Sequence, residues 1–313
     1  MPPTIDSTVS PIRRLGVDVG GTKCLGLVVD DEGRVLERQR RGTPRGASAI
    51  EDTLVELVES LSESTGVGID EWATIGLGVP GLVTLDGVIV SSPNLPGVEN
   101  YPVGRRLSDR LGRRIAVDND ANCAARAEWR AGAARGHDDV LVVTLGTGIG
   151  GGIVSGGRLL RGRHGFAGEI GHLVVVADGR TCACGRRGCW EQYASGSALG
   201  RLAQEIDESL DAVALRRAAE DGDSTARASI DAFGRWVAVG VASLVHALDP
   251  EVVVIGGGVA HRAEIVRESV QRWLAELLYA SHVRPAPEVR LAHHGEEAGA
   301  LGAAFLDQDE HGT

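Results

Sequence analysis

Apolar residues alternate with glycine and polar residues in two stretches of the chain that follow the same plan. Residues 13–19 predict a short strand that opens into a glycine turn at residues 20–23, and two strand-like runs joined at residues 31–33 follow as a hairpin. Residues 140–157 repeat this order of strand, glycine turn, strand, Gly-Gly pair and strand. Two copies of one strand–glycine–hairpin unit predict a duplicated α/β fold with two facing phosphate-binding turns.

The first turn resembles a nucleotide-binding P-loop only in part. Gly16 and Gly21 have the Walker spacing, but Lys23 comes one place too late and a strand follows, so we reject that interpretation. A strand–glycine–strand hairpin still binds phosphate through its backbone N–H groups, and Asp18 is placed to reach Mg²⁺ through water. A plain β-hairpin is the alternative. The second turn favours phosphate, because a plain hairpin does not need five glycines between residues 146 and 152.

Helical periodicity appears in three places. Residues 47–65 carry apolar positions on one face, and residues 225–248 carry a long apolar stripe that predicts a buried helix. Residues 295–306 have a small-residue face that permits very close helix packing. A buried strand at residues 251–255 leads into a triple glycine at 256–258. That triple glycine suits close approach of a nucleotide, although a tight turn explains it as well.

Polar residues follow another predicted strand. Residues 114–117 form a short apolar run that delivers Asn119 and Asp120 to the start of a small-residue helix. Open α/β sheets bind their ligands beyond the carboxyl ends of the strands. We therefore expect Asp120 to face a ligand.

A cluster of cysteines lies between residues 182 and 189. Cys182, Cys184 and Cys189 stand within eight residues, and His172 precedes the first of them by ten. Cys3His is a closed tetrahedral set for structural zinc. The alternatives are three small buried residues with a surface histidine, or a disulfide that leaves an odd thiol. Clustered thiols in a cytosolic chain favour the metal, so the sequence predicts a structural zinc site.

The same segment predicts a polyol site. A zinc-bound histidine keeps its second ring nitrogen for another partner. Glu169, three residues before His172, and Glu191, two residues after Cys189, are placed to converge on that nitrogen. Carboxylates beside an oriented imidazole suit several hydroxyls at once, and a sugar is the simplest such ligand. Alternatively, both glutamates are solvated surface charges.

Composition narrows the class of protein. The 313 residues carry a net charge of -11, which argues against nucleic acid or an anionic membrane as a partner. The N-terminus has no apolar core of signal-peptide length and no later stretch is predicted to span a membrane, so we expect a cytoplasmic protein. Cys24 and Cys123 are interpreted as core residues. Lys23 is the single lysine among 32 basic residues, which makes it a candidate functional residue.

Together these motifs resemble the ROK family (repressors, open reading frames and sugar kinases), and within it the bacterial ATP-dependent glucokinases. The resemblance extends from Leu15 to Leu306, and its zinc segment is very specific whereas its glycine turns are not. It is carried by residues 18–23, 119–120, 145–150, 168–172, 182–191 and 255–258. It implies an actin-like ATPase (ribonuclease H-like) fold, with two duplicated α/β lobes around a cleft that holds ATP, Mg²⁺ and a hexose.

The resemblance also implies a division of the chain and a set of roles. Residues 12–118 form a small N-terminal lobe onto which a helix at 296–308 packs, and residues 119–295 form a larger lobe with the zinc segment. Asp120 matches the catalytic base that accepts the proton of the 6-hydroxyl of glucose during phosphoryl transfer from ATP. The implied sugar-binding residues are Asn94, Asn119, Asp120, Glu169, His172 and Glu191. The implied residues for ATP and Mg²⁺ are Asp18, Gly20, Gly21, Thr22, Lys23, Gly146, Thr147, Gly148, Gly256, Gly257 and Gly258. The implied zinc ligands are His172, Cys182, Cys184 and Cys189.

Other members of the resembled family define the alternatives. A kinase for N-acetylmannosamine, N-acetylglucosamine or fructose would use the same machinery, and glucose is favoured because residues 189–195 are similar to the glucokinase version. A sugar-sensing repressor would carry an N-terminal helix-turn-helix, for which the roughly fifteen residues before the first strand are too few. A homodimer or homotetramer is expected. Zinc loss is expected to weaken sugar binding more than ATP binding, because the glycine turns belong to other segments.

Overall fold

The structure, a computed structural model, describes residues 13–260 and 263–309. The N-terminal stretch that lacks a signal-peptide core lies outside the described residues. The chain divides into two compact units: one contains the residues up to Asp120 and those from Ala300 onward, and the other is Ala121–Gly299. The lobe boundaries implied by the resemblance stay a prediction.

The first unit is built on a five-stranded sheet and a small three-stranded one. The strands are β1 (Arg14–Val19), β2 (Lys23–Val29), β3 (Val35–Gly42), β4 (Thr74–Val79), β5 (Leu82–Val83), β6 (Ile89–Ser91), β7 (Glu99–Tyr101) and β8 (Ala116–Asn119). The orders are β3-β2-β1-β4-β8 and β5-β6-β7. β1 pairs antiparallel with β2 and parallel with β4, which pairs parallel with β8. The carboxyl ends of β1, β4 and β8 therefore lie at one edge.

Two helices complete the core of this unit. They are α1 (Ala47–Thr65) and α2 (Val103–Leu111). The helix predicted at residues 47–65 is confirmed, and its buried positions include Ile50, Leu54, Leu57, Val58 and Leu61. It packs on β2, β3 and α2, because burial of its apolar stripe removes apolar surface from water.

The second unit repeats the plan of the first. Its strands are β9 (Val140–Leu145), β10 (Ile149–Ser155), β11 (Arg158–Leu159), β12 (Val252–Gly256) and β13 (Glu288–Leu291). They lie in the order β11-β10-β9-β12-β13, with β9 antiparallel to β10 and parallel to β12. The first strand of each sheet thus pairs with the same two kinds of neighbour, and the predicted duplication is confirmed.

Helices surround the second sheet. Between β8 and the last helix they are α3 (Asp120–Ala131), α4 (Glu191–Ala194), α5 (Gly196–Ile206), α6 (Ala212–Glu220), α7 (Ser224–Leu248), α8 (Gly257–Ala260) and α9 (Glu264–Leu277). The predicted buried helix is confirmed as α7, in which Phe233, Val237 and Val241 are fully buried. It packs against α4, α5, α6 and α9.

The expectation that no stretch could span a membrane needs a correction. α7 is long and apolar enough to cross a membrane by length and composition alone, with a mean hydropathy of 1.3. Core helices pass the same test, and 56% of that apolar window is buried inside the protein. The burial of its stripe against neighbouring helices accounts for its composition.

The last helix explains two glycines of the first sheet. α10 (Ala298–Ala304) is shorter than the predicted segment 295–306, because 3₁₀ turns flank it. A Cβ at Gly16 would lie 1.9 Å from the carbonyl oxygen of Ala300, and one at Gly76 would lie 1.8 Å from that of Ala303. The very close packing predicted from the small-residue face is therefore confirmed, and it requires glycine on β1 and β4.

Candidate active site

The predicted ligands of the first unit meet at one edge of its sheet. Asp18 lies one residue before the end of β1, and Asn119 ends β8, directly before Asp120 at the start of α3. Open α/β sheets bind ligands at this edge, where the carboxyl ends of the strands lie together. The side-chain amide of Asn119 donates to the carbonyl of Gly81, just beyond β4, at 3.0 Å. The edge therefore carries two carboxyl groups and an oriented amide.

The first glycine turn is closed by hydrogen bonds beside the same edge. The N–H of Gly20 donates to the carbonyl of Lys23 at 2.8 Å, and the hydroxyl of Thr43 donates to the carbonyl of Gly20 at 2.7 Å. A Cβ at Gly21 would lie 3.0 Å from the carbonyl oxygen of Asn94, so the turn passes close to the loop with that predicted sugar ligand. Thr43 is not recognisable from the sequence, because no motif marks a threonine that follows an edge strand.

Electrostatics distinguish Asp18 from an ordinary carboxylate. Burial, followed by the negative charge of Asp120, raises the pKa of Asp18 to about 7, and the positive charge of Lys23 opposes both. The carboxyl group is therefore partly protonated near neutral pH in the protein alone. A divalent cation favours the ionised form, and carboxylate oxygens are ligands that suit Mg²⁺. The donor set fits the predicted Mg²⁺ site.

The second glycine turn is one residue shorter than the first. Val19 pairs with Cys24 across the first turn, so that four residues lie between them, whereas Leu145 pairs with Ile149 and encloses three. Within the second turn the N–H of Gly146 donates to the carbonyl two residues later at 3.0 Å. The two turns share a plan but do not have the same geometry.

Hydrogen bonds attach this second turn to the segment that follows the cysteines. The contacts are Ile149 N–H to Glu191 Oε2 (3.1 Å), Gly196 N–H to the Gly146 carbonyl (2.7 Å) and the Ser197 hydroxyl to the Thr147 carbonyl (2.7 Å). This turn belongs to another segment of the chain, yet it is hydrogen-bonded to the segment that follows the cysteines. Sequence spacing gives no sign of these contacts, because they join residues more than forty positions apart. The expected order of the effects of zinc loss on sugar and ATP binding stays a prediction.

The five glycines between residues 146 and 152 serve different purposes. A Cβ at residues 150, 151 or 152 would lie within 2.7 Å of a neighbouring side chain. These three glycines therefore admit Thr144, Ile170 and Ala125 against β10, and packing accounts for them. A phosphate role for the turn itself stays a prediction. A Cβ at Gly148 would lie 2.1 Å from Glu191 Oε2. Only Gly146 has open space, with no other heavy atom nearer than 4.0 Å.

The third glycine group joins a strand to a helix. Gly256 ends β12, and Gly257 and Gly258 begin α8. A Cβ at Gly256 would lie 2.8 Å from the Ala292 Cβ, and one at Gly257 would lie 2.5 Å from the carbonyl oxygen of Leu145. Among the residues that the structure describes, nothing would lie within 4 Å of a Cβ at Gly258, which is exposed. Packing explains the first two glycines but not the third.

The four predicted zinc ligands converge. The candidate ligand atoms of His172, Cys182, Cys184 and Cys189 all lie within 4.8 Å of one another. His172 Nδ1 is 3.8 Å from Cys182 Sγ, and the sulfurs of Cys184 and Cys189 are 3.6 Å apart. Tetrahedral zinc with Zn–S bonds of about 2.3 Å places its sulfur ligands about 3.8 Å apart. The chemistry and spacing of the group fit the predicted Cys3His site.

The thiols of this cluster differ in their surroundings. Cys182 and Cys189 are buried and Cys184 is exposed. Burial, with hydrogen bonds to the other two thiols, raises the pKa of Cys189 to about 12. Burial also raises the pKa of Cys184, but the backbone N–H of Arg186 and the neighbouring thiols outweigh it and lower that pKa overall. A bound cation would be needed to hold all three as thiolates.

Among the predicted sugar-binding residues, His172 belongs to this cluster and Glu191 contacts it. The ring of His172 presents Nδ1 to Cys182, so its Nε2 is the nitrogen left for another partner. Glu191 Oε1 is 3.9 Å from Cys182 Sγ, and its other oxygen binds a backbone N–H, so Glu191 is not a solvated surface charge. Glu169 is exposed, and its carbonyl accepts the N–H of His172 at 3.1 Å.

Comparisons with known proteins identify relatives over nearly the whole chain. Residues 14–310 match the ROK family. The chain is 35% identical to a glucokinase of Streptomyces coelicolor, covering 94% of this chain and 97% of that one. It is 36% identical to the N-acetylgalactosamine kinase AgaK of Shewanella sp., covering 93% and 95%. A crystal structure of a ROK family glucokinase from Streptomyces griseus, in complex with glucose and AMPPNP, superposes with a TM-score of 0.83 at 38% identity, covering 94% and 98%.

Proposed function

Because the chain belongs to the ROK family and has its actin-like ATPase fold, we propose that it is an ATP-dependent hexose kinase that phosphorylates the 6-hydroxyl of glucose. The observation that carries the proposal is the edge of the first sheet. Asp18 and Asp120 stand there close enough for the charge of one to raise the pKa of the other, beside a closed glycine turn. Phosphoryl transfer needs mainly a positioned hydroxyl, a charge-neutralising cation and excluded water.

The proposed chemistry assigns different work to the two carboxyl groups. Asp120 accepts the proton of the sugar hydroxyl as that oxygen attacks the γ-phosphate. Asn119, held by its bond to the Gly81 carbonyl, and Asn94 orient the sugar. Asp18 would hold Mg²⁺, directly or through water. Lys23 with the N–H groups of Gly21 and Thr22 faces the phosphates, while the N–H of Gly20 closes the turn on the Lys23 carbonyl. Mg²⁺ supplies neutralisation of the developing phosphate charge.

In the second unit, we propose that the glycine turn and the start of α8 bind the nucleotide. Gly146 and Gly258 have open space where a side chain would stand, so packing does not demand glycine there. Close approach of a ligand would require glycine at both positions. Thr147, Gly148, Gly256 and Gly257 complete the proposed nucleotide set through backbone groups.

The proposed zinc is structural. His172, Cys182, Cys184 and Cys189 would fill its tetrahedron and leave no position for an activated water. Its contribution is to orient the His172 ring, whose Nε2 binds a sugar hydroxyl together with Glu169 and Glu191. The proposed lobes are residues 12–118 with the 296–308 helix, and residues 119–295. We further propose a cytoplasmic homodimer or homotetramer.

The choice of sugar rests on the similarity of residues 189–195 to glucokinases, and an N-acetylated hexosamine is the second candidate. A site that pairs its polar groups with one sugar leaves them unpaired with another, which is costly. A coupled assay of ATP consumption against glucose, fructose, N-acetylglucosamine, N-acetylmannosamine and N-acetylgalactosamine tests the proposal. We expect the highest kcat/KM for glucose. A higher kcat/KM for an acylated sugar would transfer the assignment, and no turnover with any of the five would reject the kinase.

A further inference from the structure

Glu191 lies where the predicted zinc ligands and the second glycine turn come together. One carboxylate oxygen is 3.9 Å from Cys182 Sγ, and the other accepts the N–H of Ile149 at 3.1 Å. A Cβ at Gly148 would lie 2.1 Å from that second oxygen, so the turn has no side chain that separates it from the carboxylate. One side chain therefore contacts both the ligand set and the turn.

The backbone that carries Glu191 is held on the side of the ligand set. Cys189, two residues earlier, is a candidate ligand and is fully buried. Trp190 is also fully buried; its backbone N–H donates to the Leu173 carbonyl at 2.7 Å, and its indole N–H donates to the Trp236 carbonyl, in α7, at 2.8 Å. The cluster and α7 thus determine where the Glu191 carboxylate stands.

We propose that Glu191 is a positioning residue for nucleotide binding. It holds the N–H of Ile149, and through it the turn Gly146–Gly148, in the conformation that receives the phosphates. The predicted zinc ligands, which fix the position of Glu191, thereby support ATP binding as well as sugar binding. This inference rests on the proposed kinase function and deepens it. Hydrogen bonds to charged acceptors are among the stronger ones in proteins, so losing this one is expected to weaken nucleotide binding about tenfold.

The test measures binding of AMPPNP with Mg²⁺ by calorimetry, without sugar, so that no sugar contact of Glu191 contributes. Glu191→Ala removes the acceptor, and Glu191→Asp keeps the charge but draws the oxygens back from Ile149. Both are expected to bind AMPPNP about tenfold more weakly. Glu191→Gln has an oxygen acceptor at the end of a side chain of the same length. It is expected to bind AMPPNP within about threefold of the wild type. A role in general stability alone would not produce this pattern.

Glu220→Gln is the matched control, because it removes a carboxylate of the same unit that forms an ion pair with Arg216 of α6 at 3.5 Å. Zinc content is measured on every variant, and if Glu191→Ala does not fold, Glu191→Asp carries the test. Wild-type affinity in both Glu191→Asp and Glu191→Ala would overturn the inference, as would a Glu191→Gln variant as weak as they are. Failure of the wild type to bind AMPPNP would instead overturn the proposed function.

Discussion

The two strand–glycine–strand hairpins follow one backbone plan but differ in chemistry. The first carries Asp18 one residue before the end of its first strand and Lys23 at the start of its second, and the second hairpin carries Thr144 and Ile149 at those places. The first turn therefore has its own carboxyl and ammonium groups. The second has neither, and a carboxylate 42 residues further along the chain, that of Glu191, accepts its backbone N–H. Duplication of the fold has not duplicated the site.

Burial accompanies the difference. Ile149, which begins β10, is buried, and residues 150–152 are glycines whose missing side chains leave room for Thr144, Ile170 and Ala125. Any charge at this turn must come from another segment, whereas β2 presents Lys23 at its first position. For the proposed kinase, we therefore expect the first turn to bind phosphate through its own side chains and the second through its backbone.

The largest expected effect follows from removing the proposed catalytic base, Asp120. Asp120→Asn keeps the shape and hydrogen bonding of the side chain but cannot accept a proton, so turnover should fall about 10²-fold or more. Glucose binding should largely survive. A turnover assay and a calorimetric glucose titration on one preparation measure both, and turnover near that of the wild type would remove Asp120 from its proposed role.

A metal-ligand substitution tests the second unit. Cys184 is the exposed member of the cluster, so Cys184→Ala should abolish stoichiometric zinc with little change to the core. Glucose affinity should fall roughly 10–100-fold, because the metal no longer orients His172. AMPPNP affinity should fall as well, through Glu191. Metal analysis should give about one zinc per wild-type chain. Undiminished glucose affinity in a folded, zinc-free variant would contradict the orienting role.

A pair of glycine substitutions sharpens the distinction between packed and open glycines. A Cβ at Gly152 would lie 2.3 Å from the Ala125 Cβ, so Gly152→Ala should destabilise the fold by about 1–3 kcal/mol. Gly258→Ala has space, and should leave stability unchanged or slightly higher while weakening AMPPNP binding several-fold. Thermal unfolding and calorimetry compare the two variants. Loss of stability without loss of nucleotide affinity at Gly258 would show that packing explains this glycine too.

The smallest effect concerns the raised pKa of Asp18. The folded protein retains a proton on this carboxyl group up to about pH 7, whereas the usual value of 3.8 applies in the unfolded chain. Stability from this group therefore falls as pH rises between about 4 and 7. Asp18→Asn should raise the Tm of the ligand-free protein by a few degrees at pH 8 and by less at pH 5. An equal shift at both pH values would show that ionisation of Asp18 is not the cause.

Sequence periodicity located elements better than it located their ends. The helix at residues 47–65 has the observed bounds, because an apolar stripe and a following glycine mark it. The strand predicted at residues 114–117 is observed at Ala116–Asn119. Its end contains Asp118 and Asn119, which pair with Gly78 and Val79 of β4. Polar residues do not indicate a strand in the sequence. The strand includes Asp118 and Asn119 only because they pair with β4.

The sequence alone determined what depends on neighbours along the chain: the repeated hairpins, the buried stripe of α7 and the four-ligand set at residues 172–189. Tertiary structure alone decided which glycines are packed and which are open, why the pKa of Asp18 is raised, and that Glu191 contacts Ile149. These features depend on the space and charge that distant segments bring to a residue. Spacing in the chain carries no information about them, because they arise only when the sheets and helices pack.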